Sequence, residues 1–308
     1  MIAPKKDLLR KLRRSSLEDK VFNIVNFWVM TLIIIVTLYP FLHVCAISFN
    51  DARDAMQGGI GIWPRKFSVD SYRTVFGYEN LYQAFLISVA RSVSGTVLSL
   101  FVTTLCAYAL TKKKLPGYKF IYNYFIVAMF MGGGLIPAFL LYKRIGLYNT
   151  FWIYIIPGAF STYYMILFRT YIIQLPGEME ESAYLDGADE FQAFFRIILP
   201  LCTPILATIG LFVAVSQWNS WQDTLYFVLN KDLEPLQYVL MKVLSQTEAA
   251  RITKQAKSMM LRHTNTVNIT PDSIKMAITM VATFPIICVY PFLQKYFVKG
   301  MVIGAVKG

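Results

Sequence analysis

The chain has few charged residues, histidines and cysteines for its length. Of 308 residues only 16% are charged, while 56% are hydrophobic; soluble domains carry about 25% charged residues. The two histidines, His43 and His263, lie far apart and outside any H-E-x-x-H pattern. The four cysteines fall singly within or beside apolar segments, as small buried hydrophobes do. We therefore exclude an ordinary soluble domain and expect no catalytic residue, metal site or disulfide framework.

The sequence also lacks a G-x-x-x-x-G-K-[ST] segment, the loop that holds nucleotide phosphates in many ATPases. We expect no cofactor on this chain, and any ATP must be hydrolysed on a separate subunit. A net charge of +12 could indicate nucleic-acid binding. Most lysines and arginines, however, stand at the ends of apolar segments, where membrane proteins carry their topology signals. We therefore expect no nucleic-acid partner.

Long apolar runs are abundant instead. A helix needs about 20 mainly apolar residues to cross a bilayer. Six segments meet this requirement, at roughly 22–47, 82–110, 119–142, 150–174, 197–219 and 274–297. Continuous runs of this length predict helices rather than barrel strands. The predicted fold class is an all-α polytopic membrane protein with six transmembrane helices, in contact with membrane lipid.

Charge bias gives the orientation. Seven basic residues precede the first span: Lys5, Lys6, Arg10, Lys11, Arg13, Arg14 and Lys20. They predict a cytoplasmic N-terminus, and six spans return the C-terminus to the cytoplasm. The predicted divisions are a basic tail (1–20), a first transmembrane helix (21–48), an extracytoplasmic loop (49–81), a transmembrane domain (82–297) with an outer loop at 220–273, and a cytoplasmic tail (298–308).

One cytoplasmic loop, residues 176–200, is acidic where basic residues are usual. Pro176 and Gly177 should end the fourth span. The residues after them favour a short helix at 178–184, a tight bend at Gly187 and a second short helix with apolar contacts from Phe191, Phe194 and Phe195. Two angled helices of this kind indicate a surface that docks another protein, whereas the plainer alternative is a solvated loop.

The spacing of this loop resembles the EAA motif of ABC importer permeases, with Ser182 in place of the usual first alanine. The matching residues are Glu181, Ser182, Ala183, Gly187, Ile197, Leu199 and Pro200. The resemblance implies the MetI-like type I importer fold. It also implies that these residues couple the chain to a cleft in a dimer of ATPase subunits, which would hold ATP and Mg²⁺.

Three further segments resemble the maltose-type, sugar-importing branch of that family. They are 132–137 with 146–150, 217–221, and the C-terminal stretch 294–308, whose counterpart in the maltose permease reaches toward the ATPase. The resemblance implies import of oligosaccharides from complex polysaccharides, such as alginate or pectin fragments. It further implies a multi-pass protein of the bacterial cell membrane, with a homologous second permease and an extracytoplasmic solute-binding protein as partners.

Aromatic and amide side chains that could line a sugar path occur in two places. Trp218, Asn219 and Trp221 lie at the outer end of the fifth span, and Tyr163 and Tyr164 lie in the fourth. Aromatic residues are also common at membrane interfaces whatever the function. Both interpretations stay open here.

Three alternatives also stay open. The first is a permease of the same fold for another cargo, such as peptides or amino acids. The second is a homodimeric permease. The third is an intramembrane enzyme or ion-coupled transporter, which would rest on the arginines within the spans, Arg91 and Arg169.

Glycines 132–134 would loosen or kink the third span, or would allow close helix packing.

Overall fold

The computed structural model describes residues 17–77, 80–246 and 270–305. These residues are helical or irregular, apart from an isolated bridge between Asn50 and Phe67. The predicted all-α fold is therefore confirmed. The chain divides into two compact units, Met1–Val75 with Gln255–Met280 and Phe76–Lys254 with Val281–Gly308. Predictions for 1–16, 247–269 and 306–308, including most of the basic tail, lie outside the described residues.

The first unit contains helices α1 (Leu17–Ser48), α2 (Ala52–Ala55) and α3 (Asp70–Phe76). Helix α1 is 32 residues long and exposes large apolar side chains along most of its length, as a helix facing lipid does. Beyond it, the chain makes a compact loop. The Asn50 amide donates to Asp54 at 2.9 Å, and Arg65 bonds the same carboxylate at 3.1 Å. This network fixes the segment that the sequence assigns to the first outer loop.

The second unit contains the remaining helices. In chain order they are α4 (Leu81–Ala109), α5 (Tyr118–Met129), α6 (Leu135–Arg144), α7 (Thr162–Ile173), α8 (Glu178–Leu185), α9 (Glu190–Ala193), α10 (Leu199–Leu201), α11 (Thr203–Asn219), α12 (Gln222–Phe227) and α13 (236–246). Short 3-10 turns occupy Phe151–Tyr154 and Lys231–Leu233, and a π-helix occupies Phe194–Ile198. Helix α14 (Pro271–Ala305) crosses from the first unit into the second.

Two predicted spans are not continuous helices. The third is broken between α5 and α6, where Gly134 adopts a φ of +76° that residues with a Cβ disfavour. The fourth begins with a 3-10 turn and becomes α-helical only at Thr162, after Pro157 and Gly158. Proline removes a backbone donor and glycine is a weak helix former, so the apolar pattern alone overestimates helix length here.

The fifth and sixth spans also differ from their predicted form. The fifth bends by 79° between Glu190–Leu201 and Thr203–Asn219. Its break falls between Pro200 and Pro204, each of which lacks a backbone N–H. The sixth, α14, continues through Ala305 into the predicted C-terminal tail. Within the described ranges, α1 and α4 are each long and apolar enough to cross a bilayer, and the bent pair would add a third crossing.

The main core of the second unit is built where α4, α7, the π-helix and α11 meet. Its fully buried side chains include Met165 and Phe168 from α7, Phe194 from the π-helix and Ile209 from α11. The same cluster includes Ala107 and Tyr108 of α4 and Ile198 of the π-helix. The core therefore extends without interruption from the long helices to the acidic segment at 176–200.

Candidate functional site

The first half of the acidic segment is α8, and its end is fixed by backbone hydrogen bonds. The amide of Ala188 donates to the carbonyl of Ala183 at 2.9 Å, and the amide of Gly187 donates to Tyr184 at 3.1 Å. This pair of bonds is the Schellman arrangement, which requires a left-handed residue just after the helix. Gly187 supplies it with a φ of +85°. The predicted helix and the predicted bend are both present.

The second half begins with α9, whose N-cap is Asp189. Its carboxylate accepts a hydrogen bond from the amide of Gln192 at 2.7 Å. The chain then continues through the π-helix, which buries Phe194 and Ile198 in the core. Of the three phenylalanines predicted to make apolar contacts, Phe194 is fully buried, whereas Phe191 and Phe195 are exposed.

A polar cluster joins both short helices to the end of α4. The amino group of Lys112 forms an ion pair with Glu180 of α8 and lies 3.1 Å from the Glu190 carboxylate of α9. The hydroxyl of Tyr108 lies 2.6 Å from Glu180 and 2.9 Å from Glu190. Tyr184 completes the group, with its hydroxyl 2.7 Å from the Lys112 amino group. We call these five residues the Lys112 cluster.

The electrostatics of the Lys112 cluster favour its charged form. Burial alone would raise the pKa of Glu180, but hydrogen bonds from Lys112 and the two tyrosines outweigh burial and lower that pKa. The pKa of Glu190 is lowered by the same balance. Burial would lower the pKa of Lys112, but its bonds to Glu180, Tyr184 and Glu190 raise it. All three groups are therefore ionised at neutral pH.

The outward face of the two short helices combines apolar and acidic side chains. Leu185 is 89% exposed at the end of α8, Phe191 is 65% exposed on α9, and Met179 is also exposed. Glu178 and Glu181 of α8 are exposed as well. Exposed large apolar side chains beside polar ones are typical of protein–protein contact sites. We call these five residues the outward face.

The structure places the seven motif residues in two environments. Glu181, Ser182, Gly187 and Pro200 are exposed, Ile197 and Leu199 are half-buried, and Ala183 is buried. The exposed members can contact a partner directly. Ala183 is buried, and its small side chain allows α8 to pack closely against the rest of the second unit. Coupling to an ATPase through these seven residues stays a prediction.

A second polar cluster lies near the other end of α4. Arg91 is only 1% exposed; it forms an ion pair with Asp223 and donates to the Gln217 side chain at 3.1 Å and to the Ser220 carbonyl at 3.2 Å. Its guanidinium also stacks over the Tyr154 ring at 4.3 Å. The Arg91 cluster, these five residues, borders a cavity of about 260 Å³ that is also lined by apolar residues such as Ile153 and Phe227. Arg169, the other arginine within a predicted span, donates to the carbonyl of Leu110 at 2.9 Å.

The predicted sugar-path residues lie in two separate contact groups. The indole of Trp218 donates to the carbonyl of Ala282 at 3.3 Å, and its ring meets Phe85 edge to face. Tyr163 is exposed and contacts Tyr164, which packs against the core. Asn219 is exposed and Trp221 is half-buried. Trp218 therefore has a packing role in the second unit, and sugar contact at all five positions stays a prediction.

Sequence reasoning missed three residues of the site. Lys112 and Tyr108 lie about 70 residues away in sequence from the acidic residue that they contact, Glu180. No local sequence pattern predicts a contact between positions so far apart. Leu185 could have been found, because it is a large apolar residue at the end of a short, otherwise polar helix. The motif did not select Leu185, because position 185 lies between its matched residues Ala183 and Gly187 and the motif specifies no residue there.

The helical fold and the long apolar helices are those of an integral membrane protein. No protein-family model matches the chain. It is 37% identical to protein LplC of Bacillus subtilis, over 94% of this chain and 96% of that protein. It is 32% identical to the B. subtilis polygalacturonan/rhamnogalacturonan transport system permease protein YtcP, over 95% of this chain and 100% of the relative.

A solved structure agrees with these relatives. The chain is similar, with a TM-score of 0.78 and 27% identity, to a crystal structure of a bacterial ABC transporter involved in the import of the acidic polysaccharide alginate. The match covers 92% of this chain and 99% of that one. The chain therefore belongs to the family of permease subunits of carbohydrate ABC importers, as the motif resemblance predicts.

Proposed function

We propose that this chain is one of two different permease subunits in a bacterial cell-membrane importer for oligosaccharides derived from complex polysaccharides. It has six transmembrane helices with both termini in the cytoplasm, and an ATPase dimer on separate subunits supplies the energy. An extracytoplasmic binding protein delivers the sugar. ATP-driven closure of the ATPases opens the cavity outward, and hydrolysis returns it inward.

The exposed Leu185 is the observation that carries the docking part of this proposal. A leucine that is 89% exposed at the tip of a short acidic helix, outside the predicted spans, is typical of a protein–protein contact site. In a complex, it would enter an apolar cleft of the ATPase, while Glu178 and Glu181 would meet basic groups around that cleft. Gly187 ends α8 at this tip, because its φ of +85° forms the bend that residues with a Cβ disfavour.

The cargo is supported by the relatives. YtcP is named for polygalacturonan and rhamnogalacturonan, and two further relatives, 25–26% identical, are named arabinooligosaccharide permeases. The similar solved structure serves alginate import. Polygalacturonan and alginate are acidic polymers, so we propose an oligosaccharide carrying carboxylates. Trp218, Asn219, Trp221, Tyr163 and Tyr164 are the proposed path residues.

The test is ATPase activity of the reconstituted complex with its binding protein, measured against neutral and acidic oligosaccharides and a peptide control. We expect stimulation by acidic oligosaccharides and little by the others. Stimulation by neutral sugars alone would overturn the acidic cargo and keep the carbohydrate assignment. Stimulation by the peptide alone would replace the carbohydrate assignment with the same-fold alternative.

A further inference from the structure

The carboxylates of the acidic segment face two different ways. Glu180 and Glu190, the inward pair, point toward Lys112 and are bonded within the Lys112 cluster, although the Glu190 side chain is still 60% exposed. Glu178, Glu181 and Asp186 remain exposed. An acidic docking loop would need only the exposed group, so the inward pair requires a separate explanation.

The inward pair is bridged by one cation that belongs to neither helix. Lys112 stands three residues beyond Ala109, the last residue of α4, and its amino group reaches both α8 and α9. The same amino group lies over the ring of Tyr108 at 4.6 Å. A single side chain thus ties the end of a long helix to both halves of the docking segment.

The connection continues into the core. Tyr108, in the last turn of α4, packs its ring on Phe194 of the π-helix with 5.2 Å between centroids. Both residues are buried. Closely packed interiors transmit displacement because they have few voids into which a side chain can yield. A movement of α8 and α9 therefore reaches α4 through the Lys112 cluster, in addition to the covalent path through α7 and α11.

We propose that Lys112 is a positioning residue that couples movement of the two short helices to α4 during transport. This inference rests on the proposed function, since it assumes that an ATPase moves α8 and α9. Without the lysine charge, the Glu180 and Glu190 carboxylates would share the Tyr108 hydroxyl with no cation between them. Their repulsion would push α8 and α9 apart, and neither helix would keep its ion pair with the residue that follows α4.

The first test replaces the lysine in the reconstituted complex. Lys112→Met keeps the length of the side chain and removes the charge, Lys112→Arg keeps the charge, and Lys113→Met changes an exposed neighbour as the matched control. The readout is sugar imported per ATP hydrolysed, measured only on complexes that have assembled. A merely structural lysine would change the yield of complex and leave this ratio intact.

We expect Lys112→Met to lower the ratio about tenfold, which is within the range typical of coupling between sites, while the Arg variant and the Lys113 variant keep it. Basal ATP hydrolysis should persist in all of them. An unchanged ratio in assembled Lys112→Met complexes would overturn the inference. Failure of the wild-type chain to assemble with an ATPase would instead overturn the proposed function, so the two failures are distinguishable.

The second test compares neighbouring carboxylates on α8. Glu180→Gln removes an inward charge, and Glu181→Gln removes an outward one. We expect Glu180→Gln to lower the coupling ratio with ATPase affinity unchanged, and Glu181→Gln to weaken affinity with the ratio unchanged. Because Lys112 and Glu180 act together, the double variant Lys112→Met with Glu180→Gln should lower the coupling ratio no further than Lys112→Met alone. Equal effects of the two glutamine variants on affinity would contradict the assignment of Glu180 to the Lys112 cluster.

Discussion

Two cations near opposite ends of α4 are bonded to carboxylates: Arg91 lies ten residues after the first residue of the helix (the Arg91 end), and Lys112 lies three residues beyond its last (the Lys112 end). They differ in burial and in what they join. Arg91 is 1% exposed, and its bonds reach the turn after α11. The Lys112 side chain is 25% exposed, and its bonds reach two short helices on the surface. One cluster fixes a region within the packed unit, and the other attaches the region that we propose meets the ATPase.

This difference follows from the surroundings of each charge. A guanidinium as buried as that of Arg91 is tolerated only with its donors satisfied, and its planar fork allows several bonds at once. A lysine ammonium is a compact charge on a flexible stem, and partial exposure reduces what each of its ion pairs contributes. We conclude that the Arg91 end is rigid and that the Lys112 end can be displaced at lower cost.

The largest effect we predict breaks the rigid end. Asp223→Ala leaves the buried charge of Arg91 without its carboxylate partner, which should lower the free energy of unfolding by about 3–5 kcal/mol. Thermal unfolding in detergent measures this change. Asp232→Ala, at an exposed position in the Lys231–Leu233 turn, is the control and should change little.

A double variant sharpens the same prediction. Replacing both members, as Arg91→Met with Asp223→Leu, removes the uncompensated charge and should cost less than Asp223→Ala alone. If the double variant were less stable than Asp223→Ala, the Arg91–Asp223 ion pair would itself stabilise the fold, beyond neutralising a buried charge. The contrast between the two ends of α4 would then need another cause.

The next effect concerns the outward face. Leu185→Asp should leave folding unchanged, because the side chain is exposed in the isolated chain. It should weaken ATPase binding by roughly tenfold to a hundredfold, since burying a leucine contributes about 1.5–3 kcal/mol. Titration of the ATPase subunit onto the permease in nanodiscs gives the affinity. Leu229→Asp, a 75% exposed leucine after α12, is the matched control and should bind normally.

A smaller effect is expected at the bend. Gly187 has open space around its position, so a side chain there meets no clash, and only the φ of +85° resists substitution. Gly187→Val should cost about 1–2 kcal/mol and loosen α8, whereas Gly187→Asn should be tolerated because asparagine visits the left-handed region. Co-purification with the ATPase reports both. If Asn and Val lose binding equally, close approach of the partner rather than backbone strain explains the glycine.

The smallest effect is the pH dependence of the Lys112 cluster. The pKa values of Glu180 and Glu190 are lowered from 4.5, so their contribution is present above that value and is lost as pH falls through the lower, folded-state pKa values. The raised pKa of Lys112 extends its contribution above the ordinary value of 10.5. Proteolysis of residues 176–200 should therefore stay constant across neutral pH and increase in acid. Glu180→Gln should reduce this increase.

Local sequence features predicted much of the fold and the motif. Apolar runs gave the long helices, and Pro176, Gly177 and Gly187 gave the ends of the short ones, because proline and glycine act on the backbone within one turn. Glycines 132–134 predicted a kink in the third span, and that span is broken at Gly134. The 3-10 start of the fourth span was not predicted, because most residues there are apolar and apolar content alone does not distinguish a helix from a buried turn.

The polar clusters were beyond such reasoning. Arg91 meets Asp223 across 132 residues, and Lys112 meets Glu180 across 68. Only the tertiary arrangement determines which of several neighbouring carboxylates turns inward. Sequence analysis therefore treated Arg91 as a possible transport or catalytic group and the acidic residues of the loop as one surface, whereas the structure pairs Arg91 and divides the acidic residues.

The most direct measurement is photo-cross-linking from position 185 in membranes that contain the assembled transporter. A photoreactive phenylalanine derivative replaces Leu185, with the same replacement at Leu229 as the control. The account predicts an adduct from position 185 with a subunit that contains a phosphate-binding loop, identified by mass spectrometry, and none from position 229. If position 185 forms adducts only with lipid, or forms none with the ATPase in a complex that hydrolyses ATP, docking of α8 in the ATPase would be contradicted.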